Sequence, residues 1–253
     1  MLPGADNTPQ TYKGPEETLH VYLLIGQSNM AGRAPYTEEE TEDIQRCYLL
    51  NGEDQWEPAK NPLNRYSSIR KDLGMQKLNP GYSFSKTILE ENKDISIGLV
   101  VNARGGSSIE EWSKGSRFYK EAIRRTEAAL EAGVLKGVLW HQGESDAGDP
   151  HYLEKLQLLI QNLRSDFGDS NLPFVAGQVN DAPLINHQIA NLPETVDSTG
   201  FASSEGLEVM DRWHFNARSM KLLGQRYAKE ILKIHTKQEA EQDTFRIGSE
   251  SRR

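Results

Sequence analysis

Residues 21–33 read VYLLIGQSNMAGR, an apolar run that passes without a spacer into Gly26-Gln27-Ser28-Asn29. Five apolar residues in succession, Val21 to Ile25, suit a strand buried on both faces, because a half-exposed strand alternates apolar with polar residues. With His20 the run spans 20–25, and runs of similar length and β-branched content lie at 95–102, 137–140 and 173–179. Helical patterns fill the gaps at 118–132, 152–167 and 217–234. In the last of these Met220, Leu223, Tyr227, Ile231 and Ile234 recur at three- and four-residue steps behind a capping Asn216. Doubly buried strands alternating with amphipathic helices predict a parallel sheet covered on both sides, a three-layer α/β domain. Ligands of such sheets bind beyond the carboxyl ends of the strands, where this run places Ser28.

The chain of 253 residues suits one domain, here expected over residues 19–235. Polar segments at 1–18 and 236–253 read as an N-terminal arm and a C-terminal tail. Residues 34–80 carry scattered Glu, Asn, Pro and aromatics, with one short strand-like run at 47–50. So long an irregular insertion in a compact domain is often functional and is placed to wall a cleft. A formal net charge of −8 argues against nucleic acid as a partner. No apolar run approaches the roughly 20 residues that span a bilayer, so no membrane partner is expected. The N-terminus lacks the basic-then-apolar order of a signal peptide, and a leader cleaved upstream of it would make the protein secreted or periplasmic. A single cysteine, Cys47, leaves no intrachain disulfide and no Cys-rich metal site. Oligomeric state has no signature in the sequence.

Three polar segments follow the buried runs: Ser28 after the first, Arg104-Gly105-Gly106-Ser107 after the second, His141-Gln142-Gly143-Glu144-Ser145-Asp146 after the third. All should meet at one sheet edge. A fourth, Asp211-Arg212-Trp213-His214, precedes the last helix. A serine hydroxyl is a weak nucleophile until a base takes its proton, and the base needs a partner that fixes its tautomer. Asp211 and His214 can supply both if the fold brings Ser28 within reach. Acyl transfer also needs donors aimed at a developing oxyanion. Gly105 and Gly106 let backbone N–H groups approach a ligand, and Gln142 offers a side-chain amide. Each residue also has an ordinary structural explanation: a turn, a cap or a buried polar partner. The nucleophile elbow G-x-S-x-G of α/β-hydrolases is absent, since Gly26, Ser28 and Met30 give G-x-S-x-M.

Taken together and in order, Gly26-Gln27-Ser28-Asn29-Met30, Arg104-Gly105-Gly106, His141 to Asp146 and Asp211-Arg212-Trp213-His214-Phe215 resemble the sialate O-acetylesterase and acetylxylan esterase group of the SGNH hydrolase superfamily, carbohydrate esterase family six. The resemblance covers roughly residues 20–234. It implies a flavodoxin-like α/β/α sandwich and a cofactor-free, metal-independent esterase that removes O-acetyl groups from carbohydrate through an acetyl-enzyme. By it Ser28 is the nucleophile, His214 the base and Asp211 its orienting acid. The oxyanion would meet the N–H of Ser28, that of Gly105 or Gly106, and the Gln142 amide. General members of the superfamily have Gly-Asp-Ser where Gly26-Gln27-Ser28 stands and asparagine where Gln142 stands; the esterase group shares both departures.

Glu144 is a second carboxylate that can approach His214 and stands as the alternative triad acid. The short Asp-x-x-His path favours Asp211. For an acetylated carbohydrate substrate, Asn29, Trp112 and Trp213 are the candidate contacts, with Tyr36, Trp56 and Tyr66 of the insertion as further aromatic candidates. Core packing explains the tryptophans equally well, and Asn29 can instead hold a neighbouring loop. Two rival readings are a metal-dependent hydrolase using His141, Glu144, Asp146, Asp211 and His214, and a non-catalytic carbohydrate-binding protein on the same scaffold.

Overall fold

The four apolar runs become neighbours at the centre of one seven-stranded sheet. The computed structural model describes residues 12–250. In chain order the elements are β1 (Leu19–Gly26), α1 (Ser28–Ala31), β2 (Cys47–Leu50), β3 (Trp56–Pro58), α2 (Gly81–Glu91), β4 (Ser96–Val101), α3 (Arg117–Ala129), β5 (Val134–His141), α4 (Tyr152–Phe167), β6 (Phe174–Gly177), α5 (Pro183–Ala190), α6 (Leu192–Thr195), β7 (Thr199–Ala202) and α7 (Ala217–Glu250). The sheet order is β3-β2-β4-β1-β5-β6-β7, parallel except for β3, which runs antiparallel to β2. Without the β2–β3 extension, the remaining five strands follow the flavodoxin-like order 2-1-3-4-5. Its switch point lies between β1 and β5, the strands that end at Gly26 and His141.

Period-two geometry divides β1 between two cores. Leu19, Val21, Leu23 and Ile25 pack with α3, α4 and α5, whereas Tyr22 and Leu24 pack with α2 and α7. Each fully buried aliphatic of this kind contributes about 1.5–3 kcal/mol of transfer free energy. The helix α4 ends where the sequence offers Gly168, at φ +70°, whose N–H closes on the carbonyls of Arg164 and Ser165. Asn216 caps α7 by accepting from the Ser219 N–H at 2.9 Å.

Residues 34–80 hold more structure than their composition suggests. They supply β2, β3 and two 3-10 turns. They dock on the segment after β4 through Asn64, whose amide donates to the Ala103 carbonyl at 3.1 Å and accepts from the Ala103 N–H at 2.9 Å. At the C-terminus the expectation of an irregular tail is corrected: α7 continues through residue 250 without a break. From Thr236 to Thr244 its described side chains are mostly exposed, and this lack of an apolar stripe is why periodicity did not reveal it. Of the arm at 1–18, residues 1–11 lie outside the described residues; Glu16–Thr18 form a 3-10 turn leading into β1.

Candidate active site

The glycine before Ser28 is explained by the strand beside it. A Cβ on Gly26, at φ +132°, would stand 2.2 Å from the His141 carbonyl oxygen, so only glycine lets β1 and β5 end side by side. The next N–H, of Gln27, donates to that same carbonyl at 2.8 Å. The chain then turns sharply into α1, and Ser28 is its first residue. The amides on either side of the serine hold the loops around it. The Gln27 Oε1 accepts from Gln142 Nε2 and from the N–H groups of Gly143 and Ser145, at 3.2, 3.4 and 3.3 Å. Asn29 faces the opposite loop, which carries His214.

Ser28 Oγ lies 3.0 Å from His214 Nε2, and His214 Nδ1 lies 2.8 Å from Asp211 Oδ2. Asp211 Oδ1 accepts from the N–H groups of Trp213 and His214 at 2.8 and 2.9 Å, curling the turn that holds ring and carboxylate together. Burial alone would raise the Asp211 pKa. The hydrogen bonds from the His214 ring and the two N–H groups outweigh it and hold the carboxyl at about 2. An ionised Asp211 keeps the proton on Nδ1 and leaves Nε2 free to accept from the serine hydroxyl. Both ring nitrogens are thereby occupied, and none is left for Glu144. That carboxyl accepts instead from Asn29 Nδ2 at 2.8 Å and is pushed up to about 7 by burial.

Ser28 and His214 open onto a cleft of about 370 Å³, lined also by Gly105, Gly106, Arg33, Lys71, Met75 and Trp213. Gly105 packs against the serine: a Cβ there would lie 3.7 Å from Ser28 Cβ and 2.4 Å from Arg33 Nη2. Among the described residues, the backbone N–H groups of Ser28, Gly105 and Gly106 donate to no acceptor. Three unspent donors thus belong to residues that line the cleft with the hydroxyl.

Several expected contacts fall elsewhere. Gln142 is buried, and its amide donates to Gln27, Asp146 and the Ser107 carbonyl rather than facing the cleft. Trp112 is 1 % exposed, packs edge-on against Trp140 and donates its indole N–H to Ser107 Oγ at 3.0 Å, so it belongs to the core and not to the sugar surface. Asn29 is fully buried and cannot touch a substrate. Tyr36, Trp56 and Tyr66 do not line the cleft; the Trp56 ring covers Gly98 instead. Trp213 does line it, with the Arg212 guanidinium 4.3 Å from its ring centroid. His141 is buried, with Nδ1 3.0 Å from the Tyr227 hydroxyl, and burial lowers its pKa to about 3. Among the described residues no three His, Cys, Asp or Glu side chains converge as a metal-binding group, so His141, Glu144, Asp146, Asp211 and His214 do not form the ligand set of the metal alternative.

Arg33, Lys71 and Met75 line the cleft without a sequence signal, and Gln27 and Ser145 line it from within the motifs without having been named as site candidates. Arg33 follows Ser28 by five residues, within reach of an inspection of the quoted stretch. Lys71 and Met75 come from the insertion, which carries no motif.

Comparison with known proteins converges on one group. The family model described as carbohydrate esterase, sialic acid-specific acetylesterase, matches residues 18–233. The probable carbohydrate esterase At4g34215 of Arabidopsis thaliana is 33% identical over 196 residues, covering 69% of this chain and 74% of that protein. The crystal structure of the same Arabidopsis protein superposes with a TM-score of 0.76 at 26% identity, covering 87% of this chain and 99% of that one. NanS shares the fold at a TM-score of 0.71 and 15% identity, covering 89% of this chain and 100% of that one.

Proposed function

Since the chain belongs to the sialic acid-specific acetylesterase family of carbohydrate esterases, and so is a carboxylic ester hydrolase, we propose that it removes O-acetyl groups from sugars by a serine mechanism run by Ser28, His214 and Asp211. The observation that carries the reading is the continuous relay in the cleft, 3.0 Å from Ser28 Oγ to His214 Nε2 and 2.8 Å from Nδ1 to Asp211.

His214 Nε2 takes the hydroxyl proton as Ser28 Oγ attacks the acetyl carbonyl carbon. Negative charge moves to the carbonyl oxygen, where the N–H groups of Ser28, Gly105 and Gly106 receive it. The bond between the acetyl carbon and the sugar oxygen breaks, and that leaving oxygen takes the proton from His214. Water then attacks the acetyl-serine ester, gives its proton to His214, and Ser28 departs with that proton as acetate is released. Asp211 remains ionised throughout and supports the imidazolium.

The cleft also favours one kind of sugar. Arg33 directs Nη1 to the carbonyls of Gly32 and Met75, and neither Arg33 nor Lys71 has a carboxylate partner among the described residues. Two unpaired cations beside the glycine pair suit a sugar that bears a carboxylate, such as a sialic acid, over neutral acetylated xylan.

The test is acetate release from O-acetylated sialic acid, acetylated xylan and an aryl acetate. Ser28→Ala should remain folded and lose at least 10³-fold in kcat on all three, about the loss typical of a missing triad nucleophile. Arg33→Gln should raise KM for the acidic sugar alone. Ser28→Ala activity within tenfold of the parent would overturn the mechanism.

A further inference from the structure

Asn29 sits one residue beyond the nucleophile on the same helical turn, so its backbone and that of Ser28 move together. Its side chain grips the chain on both sides of His214. Nδ2 donates to the Trp213 carbonyl at 3.0 Å, and Oδ1 accepts from the Phe215 N–H at 3.2 Å. Apart from the His214–Ser28 bond itself, the other ties on this loop do not reach the element that carries the nucleophile. Those of Asp211, and the Met210 N–H to His214 carbonyl bond, are internal to it. Asn180 and Asp181, which hold Arg212, come from the segment after β6. Asn29 alone among these fastens the base to the element that carries the serine.

An asparagine amide can turn over, and the reversed orientation would place Oδ1 against the Trp213 carbonyl and Nδ2 against the Phe215 N–H. The two backbone groups already reject that reversal, and Glu144 Oε1, 2.8 Å from Nδ2, adds a third partner that accepts from the N–H₂ end. Asn29 is fully buried, and Glu144, at 8 % exposure, reaches the edge of the cleft, so a partner lost from the Asn29 amide leaves a buried polar group unsatisfied.

Resting on the reading of Ser28 and His214 as nucleophile and base, we infer that Asn29 is the positioning residue that sets the distance between them, with Glu144 reinforcing the hold on its amide. Neither touches the reacting atoms. Their contribution is alignment, and small misplacements of a catalytic group can cost about 100-fold in rate.

The test reverses hydrogen-bond polarity without changing size. Asn29→Asp sets a carboxylate oxygen against Glu144 and the Trp213 carbonyl; kcat should fall about 100-fold while KM for the acetyl ester stays within about threefold. The rate at which a fluorophosphonate modifies Ser28 should fall in parallel. Adding Glu144→Gln gives the new carboxylate an amide donor, and the double variant should recover about tenfold or more of the lost kcat, as expected for directly coupled partners. Glu144→Met, which removes the third partner and keeps Asn29, should lose about tenfold in kcat by the same misalignment and carries the test by the same readouts should Asn29→Asp not fold. Unchanged kcat and phosphonylation rates in these variants, a KM that rises with the loss of kcat, or a double variant no better than the single would overturn the inference. The Ser28→Ala control separates the readings: if it is inactive while Asn29→Asp is fully active, only the positioning role falls.

Discussion

At the scale of single residues, the two acidic groups near His214 differ in environment, and the difference decides their roles. Asp211 is over half exposed, receives three hydrogen bonds and is held at about 2. Glu144 is buried with one unpartnered oxygen and sits near 7. Only the first places a carboxylate held ionised well into the acid range against the imidazole N–H. Asp211→Asn should therefore cost at least about 100-fold in kcat, by letting the proton move to Nε2 where it cannot accept from Ser28. Glu144→Gln should cost at least about tenfold less than that, since the loss falls on alignment and not on the relay itself. Steady-state kinetics on an aryl acetate compares the two, and equal losses would return Glu144 to contention as the acid. The residues of the relay were legible because their chemistry demands particular types at strand ends and turns. For Asn29, Gln142 and Trp112 the sequence left a ligand contact and a structural role both open, because it gives proximity to a site but not the direction of a side chain. Each spends its N–H donors on protein acceptors, and only the structure reveals which acceptors are near.

Elements repeat that contrast between pattern and contact. The long amphipathic helices α3, α4 and α7 were readable because a wide apolar stripe recurs every turn, and β1, β4, β5 and β6 because burial on both faces leaves an unbroken apolar run. The short strands β3 and β7, of three and four residues, carry too few positions for any period, and Gly200 weakens β7 further. Helix α2 begins Gly81-Tyr82-Ser83 behind Pro80, a start that reads as loop. What holds α2 in place is Gly224 of α7. A Cβ there would meet the Pro80 carbonyl oxygen at 2.2 Å and the Phe84 nitrogen at 2.9 Å, backbone atoms that cannot swing aside. Propensity alone would make Gly224→Ala stabilising by about 1 kcal/mol. The enforced separation of the helices costs about 1–3 kcal/mol or more, so the substitution should destabilise on balance. Urea unfolding measures the difference, and a gain in stability would mean that the two helices do not cross this closely.

For the whole molecule, the buried titratable groups set how stability changes with pH. His20 is lowered to about 4 by burial, then by Lys136 and His235, and His141 to about 3 by burial. Both are neutral when folded but ordinary, near 6.5, when unfolded, so the unfolded chain binds up to two more protons as pH falls below 6.5. His235, also lowered by burial, adds in the same sense. Glu144 works in the opposite direction. Its folded value near 7 exceeds its ordinary 4.5, so the folded state binds the extra proton between them, and this contribution is lost as pH rises through that window. Below 6.5 two or more histidines oppose one carboxyl, and stability should fall on acidification with a net slope of about 1.4 kcal/mol per pH unit or steeper. Between 6.5 and 7 the histidines of the unfolded chain are still partly protonated, their residual effect and that of Glu144 nearly cancel, and stability levels off toward neutrality. Unfolding free energies measured from about pH 5 to 8 should rise and then flatten. Glu144→Gln removes the opposing carboxyl and should steepen the acid limb by about 1.4 kcal/mol per pH unit, whereas His20→Gln should flatten it. An acid limb no steeper in Glu144→Gln than in the parent would show that Glu144 is ionised in the folded state and that its buried hydrogen bond to Asn29 is one between a charge and an amide.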